Sequence, residues 1–224
     1  MNLLFPRYCL GCGREGAYFC ADCLNRVSLC FETVCPWCNQ FSPDGLSHPA
    51  CREMSPLAGL TSAFNYVGLI EKAIKKLKYH FVSDLAKDLT ELFLTFVGEH
   101  KAFTQFCQQT PILAPIPLHQ KRLNWRGFNQ SELLGKKIAQ NLNVPFCPDL
   151  LRRVKETLPQ VELSKEDRLK NISDAFILNP RFVIHNSQFI LFDDIWTSGA
   201  TLREAAKVLK RAGAASVWAL TLVR

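Results

Sequence analysis

Apolar spacing divides the chain near Pro56–Gly59. Beyond that point the pattern alternates between helix and strand periods. Leu69–Tyr79 sets Leu69, Ile70, Ala73, Ile74 and Leu77 on one helical face and Lys72, Lys75, Lys76 and Lys78 mostly on the other. A second amphipathic pattern runs from about Asp84 to Phe106. Pro111–Leu118 reads as a short strand ending in a Pro-rich bend, and a helix capped by Asn129 or Ser131 follows to about Asn141. Phe189-Ile190-Leu191-Phe192 reads as a buried strand, with a helix expected over Leu202–Arg211 and a last strand over Ala215–Val223. That order predicts an α/β domain, a mostly parallel sheet with helices on both faces and strand 189–193 at its centre. No apolar run reaches about 18 residues, so no membrane span is expected.

The amino end is organised by cysteine instead. The chain has 10 Cys, eight of them in the first 51 residues. Cys9-x2-Cys12 and Cys20-x2-Cys23 form one set; Cys35-x2-Cys38 with His48-x2-Cys51 repeats it, with imidazole replacing one thiolate. Paired C-x2-C hooks across a short loop suit tetrahedral zinc, so two structural Zn²⁺ ions in a double ribbon are expected over residues 1–55. The hooks could also interleave, one ion taking the first and third pairs. The rival is a disulfide framework. Residues 1–8 lack the basic start and long apolar run of a secretory leader, and a chain of this length can build an apolar core without staples. A cytoplasmic protein is the expectation. Cys30, Cys107 and Cys147 fit no hook and read as small buried hydrophobes.

The most chemical stretch is Asp193-Asp194-Ile195-Trp196-Thr197-Ser198-Gly199-Ala200-Thr201. Two carboxylates at the carboxyl end of a strand can accept hydrogen bonds from a vicinal diol, directly or through Mg²⁺-bound water. Backbone N–H groups of Ser198–Thr201, hydroxyls of Thr197, Ser198 and Thr201, and a helix N-terminus can cradle a phosphate, with Gly199 allowing close approach. Together the parts suit a ribose 5-phosphate. An ordinary strand, turn and Thr-capped helix with a solvated acid pair is the bland alternative.

Two other stretches carry polar chemistry. Residues 119–130 read as a loop that concentrates Lys121, Arg122 and Arg126 before Gly127, a composition able to wrap a pyrophosphate. Residues 151–176 read as a charged flap, with Ser164 at a helix start.

Residues 193–201 resemble the phosphoribosyl-pyrophosphate (PRPP) motif of type I phosphoribosyltransferases. Trp196 departs from it, since a smaller β-branched residue is usual there. The zinc hooks, Lys78 in L-K-Y, the P-I-P bend, R-G-F-N-Q (126–130), T-x2-Q (157–160), R-x2-N (168–171) and the PRPP loop follow in an order that resembles the ComF family of bacterial competence proteins, which includes the GntX-like proteins. The resemblance implies a double zinc ribbon before a type I phosphoribosyltransferase-like domain over 60–224. It also implies PRPP with Mg²⁺ as ligand, and a role with imported single-stranded DNA and recombination proteins. Asp193 and Asp194 would then hold the ribose hydroxyls, Thr197–Thr201 the 5-phosphate, and Lys121, Arg122 or Arg126 the leaving pyrophosphate. A catalytic phosphoribosyl transfer, a non-catalytic single-stranded DNA adaptor and a nucleobase phosphoribosyltransferase are the functions this leaves open.

Charge narrows the partner question. Net charge is +7, but residues 1–60 carry four basic and five acidic side chains. Two Zn²⁺ on seven thiolates and one imidazole would make that end more negative still. Nucleic-acid contact is therefore expected on the Lys72–Lys78 face, residues 121–126 and residues 152–155, with Trp125, Phe128 and Trp196 as candidate stacking faces. After Thr201 only one helix and one strand remain, so a hood over the site is expected from the zinc module and residues 60–80.

Overall fold

The computed structural model describes residues 6–79, 83–157 and 165–224. Its centre is a four-stranded, all-parallel sheet. The strands are β1 (Gly59–Phe64), β2 (Ile112–Pro115), β5 (Gln188–Ile195) and β6 (Ser216–Val223), in the order β1-β6-β5-β2. The two longest strands, β5 and β6, lie inside, and their apolar runs are buried on both faces. Segment 145–147 extends the β2 edge: Leu113 N–H donates to Pro145 O at 2.8 Å and Cys147 N–H to Leu113 O at 2.9 Å.

Strand alternation divides the core in two. Ile190 and Phe192 point to a cluster with α2 (Gly68–Tyr79), α3 (Ser83–Val97), α4 (Lys101–Cys107) and α6 (Gln130–Leu142). Phe189 and Leu191 point to the opposite cluster, built on α8 (Ala200–Arg211) and β4 (Phe176–Leu178). Helices thus cover both faces, as the periodicity predicts.

Three local expectations are corrected. The pattern over 84–106 is two helices, parted at Gly98–His100, where His100 is extended and its N–H returns to Val97 O. The expected basic loop is a short helix, α5 (Gln120–Arg126), capped by His119, whose ring accepts from Lys121 N–H. None of its residues is buried, so it carries no apolar stripe to betray it. The charged flap is largely a hairpin of β3 (Leu151–Arg153) and β4, joined through α7 (Lys165–Ile172) and anchored by Leu150, Leu151 and Phe176 in the second cluster. Ser164, Gln160 and the side chain of Arg168 lie outside the described residues.

The amino-terminal module, with its one-turn helix α1 (Ala21–Leu24), is joined to the sheet rather than tethered beside it. Cys30 N–H donates to Ala63 O at 2.9 Å and Asn65 N–H to Ser28 O at 2.9 Å, while Leu10, Tyr18, Phe19, Val27 and Leu29 pack on the first cluster. No described helix is long and apolar enough to cross a membrane.

Candidate functional site

Each set of metal-ligand residues closes on itself. The thiols of Cys9, Cys12, Cys20 and Cys23 lie within 4.8 Å of one another, as do the ligand atoms of Cys35, Cys38, His48 and Cys51. The hooks therefore pair in sequence order and do not interleave. Cys9 Sγ is 3.6 Å and Cys12 Sγ 3.7 Å from Cys20 Sγ, and His48 Nδ1 is 3.4 Å from Cys38 Sγ. A zinc tetrahedron with bonds of about 2.3 Å has edges of about 3.8 Å, so both groups can hold zinc. All ten cysteines are unbridged, and each set gathers four ligand atoms about one point, as a metal site does and a disulfide framework does not.

The surroundings favour the thiolate at one cysteine of each set and oppose it at another: the neighbouring Cys20 thiol pushes Cys23 up to about 12, and burial pushes Cys51 up to about 11. Burial opposes ionisation of Cys9, but the backbone N–H groups of Cys20, Cys12 and Gly11 outweigh it and lower the thiol to about 6. At Cys35 burial is likewise outweighed by the N–H groups of Cys38, His48 and Trp37, and the thiol falls to about 7. His48 Nε2 lies 2.9 Å from Phe41 O, a contact that orients the ring with Nδ1 toward the thiols. Gly11 is required by space, since a Cβ there would lie 2.6 Å from Cys23 Sγ. Of the three remaining cysteines, Cys30 is buried and Cys107 half-buried, with burial pushing the Cys107 thiol up to about 12.

The acid pair lies at the carboxyl end of β5. Asp193 Oδ1 accepts from Ser131 Oγ, on the first turn of α6, at 2.9 Å and from Asp194 N–H at 2.9 Å. Asn129 caps that turn by accepting from Ser131 N–H at 3.1 Å, and its own amide donates to Ile116 O at 3.0 Å. The R-G-F-N-Q stretch thereby fixes Ser131 against the acid. Burial, followed by the charge of Asp194, pushes the Asp193 carboxyl up to about 7. Asp194 is buried and its Oδ2 lies 2.8 Å from Lys78 Nζ, at the end of α2. Burial works against the Lys78 ammonium, but Asp194 prevails and its affinity for the proton is raised.

The turn after the pair has the form a phosphate needs. Gly199 is left-handed, with φ 75°, and starts α8, so the N-terminal amides of that helix face the turn. Ser198, Gly199 and Ala200 are buried and Thr197 exposed. Ser198 Oγ accepts from Ala200 N–H at 3.4 Å.

Trp196 does not enter the cleft. It is 2% exposed and reaches the second cysteine knuckle, donating from Nε1 to Asn39 Oδ1 at 3.3 Å. Arg203 completes the joint. It donates from Nε to Pro36 O at 2.6 Å and from Nη2 to Trp37 O at 3.0 Å, and its guanidinium lies over the rings of Trp37 and Trp196, 5.7 and 5.4 Å from their centroids. The unusual tryptophan thus couples a metal knuckle to the turn. The sequence offered one signal for this role of Arg203, a lone cation among Leu202, Ala205, Ala206 and Leu209 on a buried face.

The basic residues gather beside the acids from α5 and β3. Arg126 lies in the field of Asp194, and Arg153 in that of Asp193. Lys121 is drawn outward by an exposed pair with Glu156 at 2.5 Å. Of the three candidate stacking aromatics, Trp125 alone is exposed, at 72%; it meets Tyr79 edge to face at 6.2 Å. Sequence reading took Arg153 for a nucleic-acid contact within 152–155 and Ser131 for a helix cap, and placed neither beside the acid pair.

Comparison with known proteins agrees with this architecture. The phosphoribosyl transferase domain family matches residues 129–224. DNA utilization protein YhgH of Escherichia coli (strain K12) is 31% identical over 209 residues, 92% of this chain and 89% of the relative. Competence protein F of Haemophilus influenzae is 29% identical over 96% of this chain and 84% of its own length. Competence protein ComFC of Bacillus subtilis (strain 168) is 27% identical over 92% and 83%. Likeness of this extent, over a double cysteine module and a phosphoribosyltransferase-type sheet in one order, places the chain in the ComF family of competence and DNA-utilization proteins.

Proposed function

We propose that this chain binds PRPP or a related ribose 5-phosphate in the cytoplasm, and uses that site in handling imported single-stranded DNA during transformation. The observation that carries the reading is the junction of β5 and α8. There an acid pair, Asp193 half-buried and Asp194 buried, leads directly into a left-handed Gly199 turn at a helix N-terminus. Asp193 and Asp194 accept from the ribose 2- and 3-hydroxyls. Backbone amides from Ser198 to Thr201, with the Thr197, Ser198 and Thr201 hydroxyls, take the 5-phosphate. Arg122 and Arg126 take the pyrophosphate, and Lys121 joins them on leaving its exposed pair with Glu156. Mg²⁺, when bound with PRPP, supplies positive charge to the departing pyrophosphate. If the site turns over, the bond from the anomeric carbon to pyrophosphate breaks, the electron pair leaves with pyrophosphate, and an acceptor takes its place while losing a proton.

The test is ligand-induced stabilisation. PRPP with Mg²⁺ should raise the melting temperature of the wild type and leave the Asp193→Ala/Asp194→Ala variant unmoved. An unmoved wild type would sink the reading. A second reading, a single-stranded DNA adaptor, is favoured by one observation: Tyr79 and Trp125, 63% and 72% exposed, stand among Lys121, Arg122 and Arg126. Transformation assays on the double-alanine variant separate the two. Lost transformation with DNA binding retained favours the ribose-phosphate site.

A further inference from the structure

Helix α2 carries four lysines, and one of them turns inward. Lys75 donates to Glu71 at 2.7 Å, and Lys76 lies over the Tyr18 ring, 5.3 Å from its centroid. Lys78 follows the buried Leu77 on the last turn, and its side chain is only 22% exposed. Its Nζ lies 2.8 Å from Asp194 Oδ2, and its charge is felt by Asp193 as well. Ile70, Ala73, Ile74 and Leu77 are buried in the first cluster, so the helix holds this ammonium at the carboxyl end of β5.

The chain itself provides for each acid. Asp193 Oδ1 already accepts from Ser131 Oγ and from the Asp194 N–H. Asp194 Oδ2 has Lys78 for charge, yet the ammonium stands off its hydrogen-bonding direction, and no described donor is aligned on that buried oxygen. A neutralised acceptor that still lacks a hydrogen bond suits a hydroxyl, which brings a donor and no charge. It does not suit Mg²⁺. That ion needs oxygen ligands in near-octahedral array at about 2.0–2.1 Å and gives up its water reluctantly. Two carboxylates and one ammonium leave at most one net negative charge, and a dication drawn to it would meet the ammonium at close range. Burial and Asp194 push the Asp193 carboxyl up to about 7, which lowers that charge further near neutrality.

We infer that the Lys78 ammonium takes the place of a divalent cation at the acid pair, so that ribose hydroxyls bind Asp193 and Asp194 directly, with no metal between them. This role of Lys78 deepens the ribose-phosphate reading and rests on it for the identity of the hydroxyls. Mg²⁺ is then confined to the diphosphate of PRPP.

The experiment has two arms, both on the full, zinc-loaded chain. In the first, in magnesium-free buffer, Mn²⁺ stands in for Mg²⁺ and electron paramagnetic resonance reads the free ion. Wild type should bind Mn²⁺ no more tightly, within about twofold, than Asp193→Ala/Asp194→Ala. Lys78→Met should gain a Mn²⁺ site at least about tenfold tighter, the scale of one nearby charge removed, and adding Asp194→Asn should abolish it. A wild-type Mn²⁺ site that the double-alanine change removes overturns the inference, and so does a Lys78→Met chain that gains none. In the second arm, calorimetry follows ribose 5-phosphate with and without Mg²⁺. Wild type should bind it alike in both, within about twofold, whereas Lys78→Met should bind it about tenfold or more weakly without Mg²⁺ than with it. A wild type that loses about tenfold without Mg²⁺ overturns the inference. A wild type that binds ribose 5-phosphate in neither buffer overturns the ribose reading instead, and the Mn²⁺ arm still decides the role of Lys78. Should Lys78→Met not fold, Lys78→Gln removes the charge, keeps a polar tip and carries the same expectations.

Discussion

Lys78 Nζ stands 2.8 Å from Asp194 Oδ2, so the last turn of α2 neutralises the inner member of the acid pair. Side chains 22% and 7% exposed make this a largely desolvated pair. Removing one partner leaves a buried charge with a like charge next to it, a change that typically costs about 3–5 kcal/mol. Lys78→Met should therefore lower the urea midpoint strongly. Adding Asp194→Asn to it should recover much of the loss. Equal stability of Lys78→Met and wild type would show that the pair contributes nothing to the fold.

Asp193 predicts a pH dependence. Its folded carboxyl is pushed up to about 7 by burial and by Asp194, against about 3.9 in an unfolded chain. The folded state therefore holds the proton more tightly. The stability from this group is fully present below about pH 4 and is lost as pH rises to about 7. Asp193→Asn should flatten that part of the stability profile and melt several degrees above wild type at pH 8, on the order of 2–4 °C per kcal/mol for a chain of this size. It should do so while losing ribose 5-phosphate binding. A profile of unchanged slope would refute the assignment.

Gly199 is held by two separate constraints. Its φ is +75°, and a Cβ there would lie 2.3 Å from Trp196 Cζ2. Gly199→Ala should cost about 2–4 kcal/mol, from left-handed strain together with overpacking. Pairing it with Trp196→Leu should relieve the steric part and leave the conformational part. Melting curves of the single and double variants measure each. Full recovery in the double variant would mean that the backbone conformation is unstrained.

Metal content and the turn should respond together. The purified chain should hold two zinc ions; fewer than one would contradict the metal reading. Removing them with a chelator should raise amide exchange at 35–39 and, through Arg203, at 197–203. Arg203→Lys cannot serve both the Pro36 and Trp37 carbonyls while covering two indole rings. It should raise exchange at 197–203 with the metal still bound. Exchange there that ignores both changes would disprove the coupling.

Strand β5, its acids and the Gly199 turn were legible because each rests on local physics: an apolar run, a helix start and a glycine. The cysteine sets were legible because ligand spacing is local too. The β3–β4 hairpin was read as a flap, since three-residue strands are too short to display a period. Helix α5 was read as a loop because solvent surrounds it. Trp196 could not be understood from its neighbours in the chain. Its partner Asn39, and Trp37 on the far side of Arg203, lie in the other module, and only the folded contact reveals why a large ring belongs there.

That joint has a consequence for exchanging parts of the protein. Trp196 needs the bare Gly199 beneath it and the Asn39 amide beyond it, and Arg203 needs the knuckle carbonyls between the two rings. None of these residues can be exchanged alone without stranding another. Grafting an amino-terminal module that lacks Trp37 and Asn39 would transplant half of a joint, so the two ends of this chain have to be exchanged together.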